Sequence, residues 1–406
     1  MKITARRLTT FDTLHNRHFR WYWLATLAST ATFQMTSVGQ GWLVYQLAGS
    51  ALALGWVGAA WSITNSLVSP GAGVLSDRVE QRALILWMRG LLAVTSVITS
   101  LLIWRGAVAV WHLAFFSLIR GVLYAILMPA QNAYLAKLVG PKALLNALSL
   151  NSIGMGLSGI FAASLAGYMV DKVGVAAVFL VISVLYLVVF LAILQVPRTT
   201  PNGGGSRRVF SDLLDGARYL RVQSILIPLL GLVFLRGLLG MPHITLMPKY
   251  AQDVMGLDAS GLGILVAAPG AGSLVSSFIM ASMGDYRHKG RLMLISGAAM
   301  GLGLVLFANI PAFLPVLILL ALIGAMSTIS MLTNHTLLQN ACDPGYLGRV
   351  MSFNMLMFAL TQMGTIPIGA FADLVGVPLV VTFLGAALVI TSGLVWVLAP
   401  RLKSLK

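Results

Sequence analysis

The chain has 406 residues, of which 58% are hydrophobic and only 9% are charged. A soluble domain carries about 25% charged residues, so this composition excludes a soluble globular protein and requires lipid as the solvent. The net charge of +16 suggests nucleic-acid binding at first sight, but the basic residues lie at the ends of apolar segments. Cys342 is the only cysteine, so we expect no internal disulfide, no metal-ligand cluster and no cofactor.

Apolar segments of membrane-spanning length recur along the whole chain. The N-terminal segment is basic and then aromatic, and we expect no removable signal peptide there. A bilayer-spanning helix needs about 20 mostly apolar residues. Boundaries set by charge, Gly and Pro predict twelve such helices, at residues 21–47, 52–75, 84–104, 109–131, 149–170, 175–196, 223–249, 259–283, 292–309, 313–336, 349–371 and 377–399.

One long polar, Gly-rich stretch separates the sixth and seventh predicted helices. It divides the chain into an N-terminal six-helix bundle (1–196), a cytoplasmic linker (197–222) and a C-terminal six-helix bundle (223–406). If the N-terminus faces the cytoplasm, most of the 27 basic residues, Arg89 among them, fall on the cytoplasmic side. This bias follows the positive-inside rule. The charge therefore indicates orientation and contact with anionic lipid, not nucleic-acid binding.

The two halves carry similar segments at equivalent places. The loop GAGVLSDRVEQRAL after helix 2 has a counterpart, ASMGDYRHKGRL, after helix 8. The segment AGYMVDKVGV that closes helix 5 has the counterpart GAFADLVGV in helix 11. Such repeats are typical of secondary transporters, whose substrate site lies near the midplane between the repeats. The predicted fold class is an all-α polytopic membrane protein with twelve transmembrane helices in two pseudo-symmetric six-helix bundles.

The loop after helix 2 resembles the signature of the major facilitator superfamily, which runs approximately G-x-L-x-D-R-x-G-R-R/K. The positions that match are Gly73, Leu75, Asp77, Arg78 and Arg82. Two positions depart from it, with Glu80 in place of a Gly and Gln81 in place of a basic residue. Segments after helices 1, 4 and 10 are similar to the enterobactin-exporter-like branch of efflux permeases within this superfamily.

Two interpretations of this loop remain open. Its arginines can simply anchor a cytoplasmic helix end, with Asp77 neutralising one of them. The resemblance instead implies a gate, because the equivalent Asp in the family meets a helix N-terminus of the opposite half. A carboxylate there is stabilised by about 0.3–1 kcal/mol, and Gly73 would let two helix backbones approach closely. We favour a gate comprising Gly73, Asp77, Arg78 and Arg82. A weaker counterpart in the second half includes Asp285 and Arg287.

Few ionisable groups fall inside the predicted helices. All 11 acidic residues lie at helix ends or in loops, so Arg120 in helix 4 and Arg236 in helix 7 are the intramembrane charges. Such charges are expensive and usually mark function, although bonding to backbone carbonyls is an alternative for both. The Arg-Gly pair at Arg120 resembles a family motif linked to proton transfer. His243 is the intramembrane group expected to titrate near neutral pH, unless it only packs.

Uncharged polar residues complete the predicted cavity, namely Gln34, Asn132 and Asn334. Trp61 and Tyr124 are candidates for its apolar lining. The acids at the outer ends of helices 5 and 11, Asp171 and Asp373, can take up protons from outside or merely cap and pair with Lys172. We favour the second role for both.

These features predict a secondary active transporter that exports a small amphipathic molecule by alternating access. A siderophore-like or drug-like substrate fits, and an anionic one would pair with the arginines. The resemblance implies the proton gradient as energy source. An uptake or facilitated-diffusion carrier is the alternative, because Gln34 replaces a mid-membrane carboxylate of proton-coupled relatives. A membrane enzyme or assembly partner is a remote alternative. We expect a monomer in the bacterial inner membrane with both termini cytoplasmic.

Overall fold

The computed structural model describes residues 13–199, 209–223, 225–283, 286–343, 345–399 and 402. In these ranges the chain forms α-helices and no strand. The helices are α1 (Arg17–Ala48), α2 (Ala51–Arg78), α3 (Gln81–Trp104), α4 (Val110–Val173), α5 (Val175–Leu194), α6 (Val209–Val222), α7 (Leu226–Gly240), α8 (Pro242–Lys249), α9 (Ala259–Met283), α10 (Lys289–Asn309), α11 (Phe313–Asn340), α12 (Leu347–Met363), α13 (Thr365–Val375) and α14 (Val377–Leu398).

Eleven segments of the described residues are long and apolar enough to cross a membrane. The twelfth crossing is α1, a 32-residue helix that is rich in hydroxyl side chains and therefore less apolar. These hydroxyls bond back onto the helix, as when Ser29 donates to the Ala25 carbonyl at 2.6 Å and Thr36 to the Thr32 carbonyl at 2.6 Å. A polar side chain that is satisfied within its own helix is tolerated in lipid.

The predicted helices are confirmed, with differences where Gly and Pro interrupt the helical ladder. The fourth and fifth crossings form one element, α4, which turns at Gly140 with a φ of 70°. The seventh crossing is split before Pro242, since proline has no N–H to donate. The eleventh is split at Gly364 into α12 and α13. Helix α6 lies within the predicted linker, and the division at 1–196, 197–222 and 223–406 stays a prediction.

The helices form the two predicted six-helix bundles. In the first bundle α1 packs against α4 and α5, α2 against α4, and α3 against α5. In the second, α10 packs against α11 and α14, and α9 against α11. We call the end of the bundles where α1 begins the proximal end, and the end where α1 meets α2 the distal end. The two bundles touch through α4 with α9 and through α2 with α12 and α13.

Among the described residues, close glycine contacts seal the bundles together at the distal end, and no such contact forms at three glycines of the proximal end. A Cβ added to any of three distal glycines would lie 2.5–2.6 Å from a backbone carbonyl oxygen of the opposite bundle: Gly55, Gly263 and Gly369. At the proximal end, a Cβ on Gly71, Gly73 or Gly348 would meet no described atom within 4 Å. The close backbone approach at Gly73 is not formed in this conformation and stays a prediction for a conformation with the proximal end closed.

Within the second bundle, Gly324 of α11 packs directly on the backbone of α9 at Pro269. We predict that Gly324→Val lowers the melting temperature of the purified protein by several degrees, because overpacking a tight contact costs about 1–3 kcal/mol. The matched control is Gly393→Val, since Gly393 of α14 has open space around its Cα among the described residues. Equal melting temperatures for the two variants would contradict this packing.

Candidate functional site

Asp373 of the second bundle binds the start of α2 in the first bundle. Its carboxylate accepts hydrogen bonds from the backbone N–H groups of Ala51 (2.8 Å) and Leu52 (3.0 Å) and from the Ser50 hydroxyl (2.6 Å). The first N–H groups of a helix lack intrahelical partners and carry partial positive charge. A carboxylate at this position is therefore held by hydrogen bonds and by the helix dipole together.

Lys249 links this contact to a second carboxylate. Its ammonium lies 3.1 Å from Asp253 and 3.6 Å from Asp373, and its side chain is only 15% exposed. The Tyr45 hydroxyl of the first bundle donates to Asp253 at 2.6 Å. The ammonium also lies 5.3 Å from the centroid of the Tyr45 ring. We call the five residues of this cross-bundle network the distal latch: Tyr45, Ser50, Lys249, Asp253 and Asp373.

The two equivalent acids, Asp171 and Asp373, have different surroundings. Asp171 pairs with its neighbour Lys172 at 3.3 Å on the surface, as the favoured interpretation expected. Asp373 does cap a helix, but the helix belongs to the opposite bundle. Asp373 therefore has the capping role that the favoured interpretation allowed, but that interpretation did not foresee a cap across the two bundles. The feature that joins two bundles through a helix N-terminus exists in this structure, at the end opposite to the predicted gate.

The predicted gate after α2 forms no cross-bundle bond among the described residues. Arg82 donates to the carbonyl oxygens of Ile193 (3.1 Å) and Leu194 (2.7 Å) at the end of α5 in its own bundle. Arg78 and Arg287 are exposed. The side chain of Asp77 and the whole of Asp285 lie outside the described residues. The gate thus stays a prediction for a conformation in which the proximal end is closed.

The two departures from the signature have their own bonds. Glu80 caps α3 by accepting from the backbone N–H groups of Arg82 (3.1 Å) and Ala83 (2.9 Å), and it also accepts from the Thr199 backbone N–H (3.0 Å). Gln81 is fully buried and accepts from the Thr199 hydroxyl (2.6 Å) and from Lys137 (3.1 Å). The loop therefore fixes the beginning of the predicted linker to the first bundle.

Three arginines lie in the membrane interior, one more than the sequence predicted. Arg120 donates to the side-chain oxygen of Gln40 at 2.8 Å, and Arg236 donates to the carbonyl oxygen of Ser327 at 3.2 Å. The third is Arg89 of α3, which is 2% exposed. Its assignment to the cytoplasmic charges is wrong, because α3 begins at Gln81 and Arg89 lies about 12 Å further along the helix.

Each bundle encloses one small cavity beside one of these arginines. The cavity next to Arg120 lies between α1, α3, α4 and α5, and the cavity next to Arg236 lies between α7, α10, α11 and α14. Each leaves about 20 Å³ for the centre of a water molecule. That volume holds about one water, whereas a drug-sized ligand needs roughly 300 Å³ or more. Neither cavity can therefore hold a drug-sized ligand.

The other predicted cavity residues are not brought to one place. Asn334 is buried and donates to the Leu229 carbonyl oxygen at 3.1 Å beside Arg236. His243 is also buried, with Nδ1 2.6 Å from the Gly240 carbonyl oxygen and its ring against Phe307. Gln34 lies against α4 near Gly159. Asn132 is exposed near the proximal end.

An aromatic group from three helices lies where the space between the bundles begins. The Phe33 ring is 6.2 Å from Trp61 and 5.7 Å from Tyr124, centroid to centroid. Glycines that lie about two helical turns from Phe33 and one turn from Trp61 take part in the distal contacts. A Cβ on Gly41 would lie 3.1 Å from Pro248, and one on Gly58 would lie 3.8 Å from Thr245. The aromatic side chains therefore lie just proximal to the seal.

Only part of this aromatic group was predicted. Trp61 and Tyr124 were candidates for the apolar lining, and the structure places them together. Phe33 was missed, although its position in the middle of a long, hydroxyl-rich helix was a signal that this face is not lipid-facing.

Two six-helix bundles that meet in close contacts at the distal end are the architecture of a membrane transporter of the major facilitator superfamily rather than of an enzyme. Residues 8–406 match the transmembrane secretion effector family, and the chain belongs to that family.

Curated relatives and solved structures agree with this assignment. The chain is 28% identical over 302 residues to the enterobactin exporter of Citrobacter koseri, covering 72% of this chain and 71% of that protein. It is 26% identical over 302 residues to the enterobactin exporter of Shigella flexneri, covering 72% and 70%.

Two solved structures share the fold at low identity. A mutant of the nucleoside transporter NupG has a TM-score of 0.80 at 12% identity, covering 93% of this chain and 98% of that chain. A bacterial homologue of the human lysosomal transporter Spinster, solved in an inward-facing and unoccupied conformation, has a TM-score of 0.72 at 14% identity, covering 96% and 98%. These likenesses concern the fold alone.

We predict that Asp373→Asn opens the distal end. The loss of charge-assisted hydrogen bonds, worth about 1.5–3 kcal/mol each, shifts the conformational equilibrium. In a Thr245→Cys, Cys342→Ser background, labelling by a membrane-impermeant maleimide from the distal side should become about tenfold faster, a shift of about 1.4 kcal/mol.

The matched control is Asp171→Asn, which removes the equivalent acid of the first bundle and leaves the distal latch intact. Its labelling rate should equal that of the parent protein. Equal rates for Asp373→Asn and Asp171→Asn would contradict the latch.

Proposed function

We propose that this protein is a secondary active transporter that exports a small amphipathic molecule by alternating access. The observation that carries the proposal is the asymmetry of the contact between the bundles. The distal end is sealed by the latch and by glycine-mediated backbone contacts, while the proximal glycines have free space. One sealed end and one unsealed end is what a single state of an alternating-access cycle requires.

The direction of transport is proposed from the relatives and from charge. Both curated relatives named above are exporters of enterobactin, which favours export of a siderophore-like or drug-like molecule here. The concentration of basic residues at proximal helix ends favours a proximal end in the cytoplasm, both termini cytoplasmic, and location in the bacterial inner membrane. The conformation would then be inward-facing. Because both bundles belong to one chain, a monomer suffices for the cycle.

Energy coupling is proposed to use the proton gradient through the distal latch. No carboxylate lies in the middle of a described membrane helix, but Asp253 and Asp373 lie at the end that would face the outside. Each accepts bonds from the first bundle only while the distal end is closed. Protonation from outside removes acceptor capacity from the latch and so favours opening, with Lys249 and Tyr45 as the other titratable groups that face these acids.

An uptake or facilitated-diffusion carrier remains the second candidate. The observation that favours it is Gln34, which occupies the middle of α1 where many proton-coupled relatives carry an acid. A carrier of this kind would cycle without consuming a gradient. The two candidates differ in one measurable property, the dependence of substrate movement on the pH gradient.

Transport into proteoliposomes with an imposed pH gradient tests these candidates. We predict accumulation of an amphipathic substrate, from a panel that includes enterobactin, and loss of that accumulation when a protonophore collapses the gradient. Liposomes with Asp373→Asn protein should lose gradient-driven accumulation, while Asp171→Asn protein keeps it. Substrate movement that is indifferent to the gradient would favour the facilitated-diffusion carrier instead.

The predicted proximal gate has a separate test. We predict that Asp77→Asn reduces the transport rate about two- to fivefold without reducing the amount of protein inserted, because the charge would stabilise the proximally closed state by about 0.3–1 kcal/mol. Initial rates in the same proteoliposomes, normalised to reconstituted protein, measure this effect. A wild-type rate would leave the loop as a topological anchor only.

A further inference from the structure

Arg89 is a buried cation for which the described part of the chain supplies no anion. Its side chain is 2% exposed, and its Nε and Nη1 atoms have no hydrogen-bond partner among the described residues. The guanidinium carbon lies 5.8 Å from the centroid of the Tyr124 ring. A guanidinium stays charged inside a protein, and an unpaired buried charge is strongly destabilising. A feature this costly indicates that an anion occupies the position at some stage.

A second arginine lies on the same helix as Tyr124. Arg120 precedes Tyr124 by four residues on α4, so the two side chains lie on one face of the helix. Gln40 takes one hydrogen bond from Arg120, whereas the Nε atom of Arg120 is buried without a partner in the described residues. The buried Tyr186 phenol interacts electrostatically with Arg89, Arg120 and Tyr124. Arg89 therefore contacts the Tyr124 ring, and Arg120 lies one turn away from that ring on the same helix.

Neutral donors without partners extend this group towards the space between the bundles. The Tyr124 hydroxyl and the Trp61 Nε1 atom are both buried and unpaired within the described chain. Phe33 touches both rings and is 36% exposed, so it borders the open side of the group. An indole N–H and guanidinium groups only donate hydrogen bonds. The site thus offers an excess of donors and calls for a ligand rich in acceptors.

We propose that Arg89, Arg120, Tyr124 and Trp61 form an oxyanion site in the first bundle, which holds the carboxylate or a similar planar oxyanion of an organic ligand. Guanidinium groups match planar oxyanions in geometry and charge. The body of the ligand lies against Phe33 in the space between the bundles, because the enclosed cavity is too small for it. This inference rests on the proposed transport function and specifies the ligand that the site accepts.

The test uses benzoate as the probe and benzamide as its neutral counterpart of the same shape. In chloride-free buffer, we expect the purified wild-type protein to bind benzoate at least tenfold more tightly than benzamide, as measured by calorimetry and by the shift in melting temperature. Arg120→Gln should weaken benzoate binding about tenfold and leave benzamide unchanged. Equal affinities of the wild type for both compounds would overturn the proposal.

Arg89→Met separates a binding role from a structural one. Methionine keeps much of the volume and removes the unpaired charge, so the ligand-free variant should melt at a higher temperature than the wild type, and benzoate should no longer raise it. The control is Arg105→Met, which changes an exposed loop arginine and should leave both quantities unchanged. A lower melting temperature or misfolding of Arg89→Met would show that Arg89 is structural and would overturn the site.

Three further outcomes decide between the oxyanion site and the proposed transport function. If chloride alone stabilises the wild type as strongly as benzoate does, the site holds an inorganic ion and the assignment to an organic oxyanion is wrong. If benzoate is bound selectively but no panel compound is transported in proteoliposomes, the site stands and the proposed transport function fails. If compounds are transported without any preference for anionic ones, the proposed transport function stands and the oxyanion site fails.

Discussion

The carboxylate of Asp373 on the free N–H groups of α2 is the interaction on which the observed conformation depends. Glycine contacts bring the bundles close, but packing of small residues alone has no hydrophobic driving force in lipid. The charged latch adds directional bonds to that packing. Because these bonds join a helix end to a side chain at the membrane surface, water can replace them when the end opens. The contact is therefore both strong enough to seal and reversible.

The arginines inside the bundles, unlike the latch residues, lack some of their hydrogen-bond partners in the described part of the chain. Arg236 obtains a carbonyl oxygen and Arg120 an amide oxygen, each from within its own bundle. Arg89 obtains only the face of an aromatic ring. An unpaired buried charge is costly, which is the reason why an anionic ligand is proposed for this position. Among the described residues the Nε atoms of all three arginines lack a partner, and the Nη1 atom of Arg89 lacks one as well.

The sequence predicted the twelve crossings and the six-plus-six plan because both depend on local composition. It placed Arg89 wrongly because a helix boundary uncertain by one turn moves a residue from the membrane surface to the interior. It could not identify the helix that Asp373 caps, because that helix, α2, begins more than 300 residues away in the chain. The sequence identified Glu80 and Gln81 only as departures from a signature, whereas the structure shows that both accept hydrogen bonds from Thr199. Partners that are distant in sequence are what single-chain patterns cannot supply.

The two bundles share an arrangement of helices and differ in where their polar and charged side chains lie. Equivalent sets of four helices enclose the two small cavities, yet the arginine comes from α4 in the first bundle and from α7 in the second. The unpaired donors around Tyr124 belong to the first bundle, whereas the latch acids belong to the second. The proposed oxyanion site and the acids of the distal latch therefore belong to different halves. In the proposed cycle, movement of one half against the other would change both at once, which would couple an occupied site to an opening end without a residue common to the two.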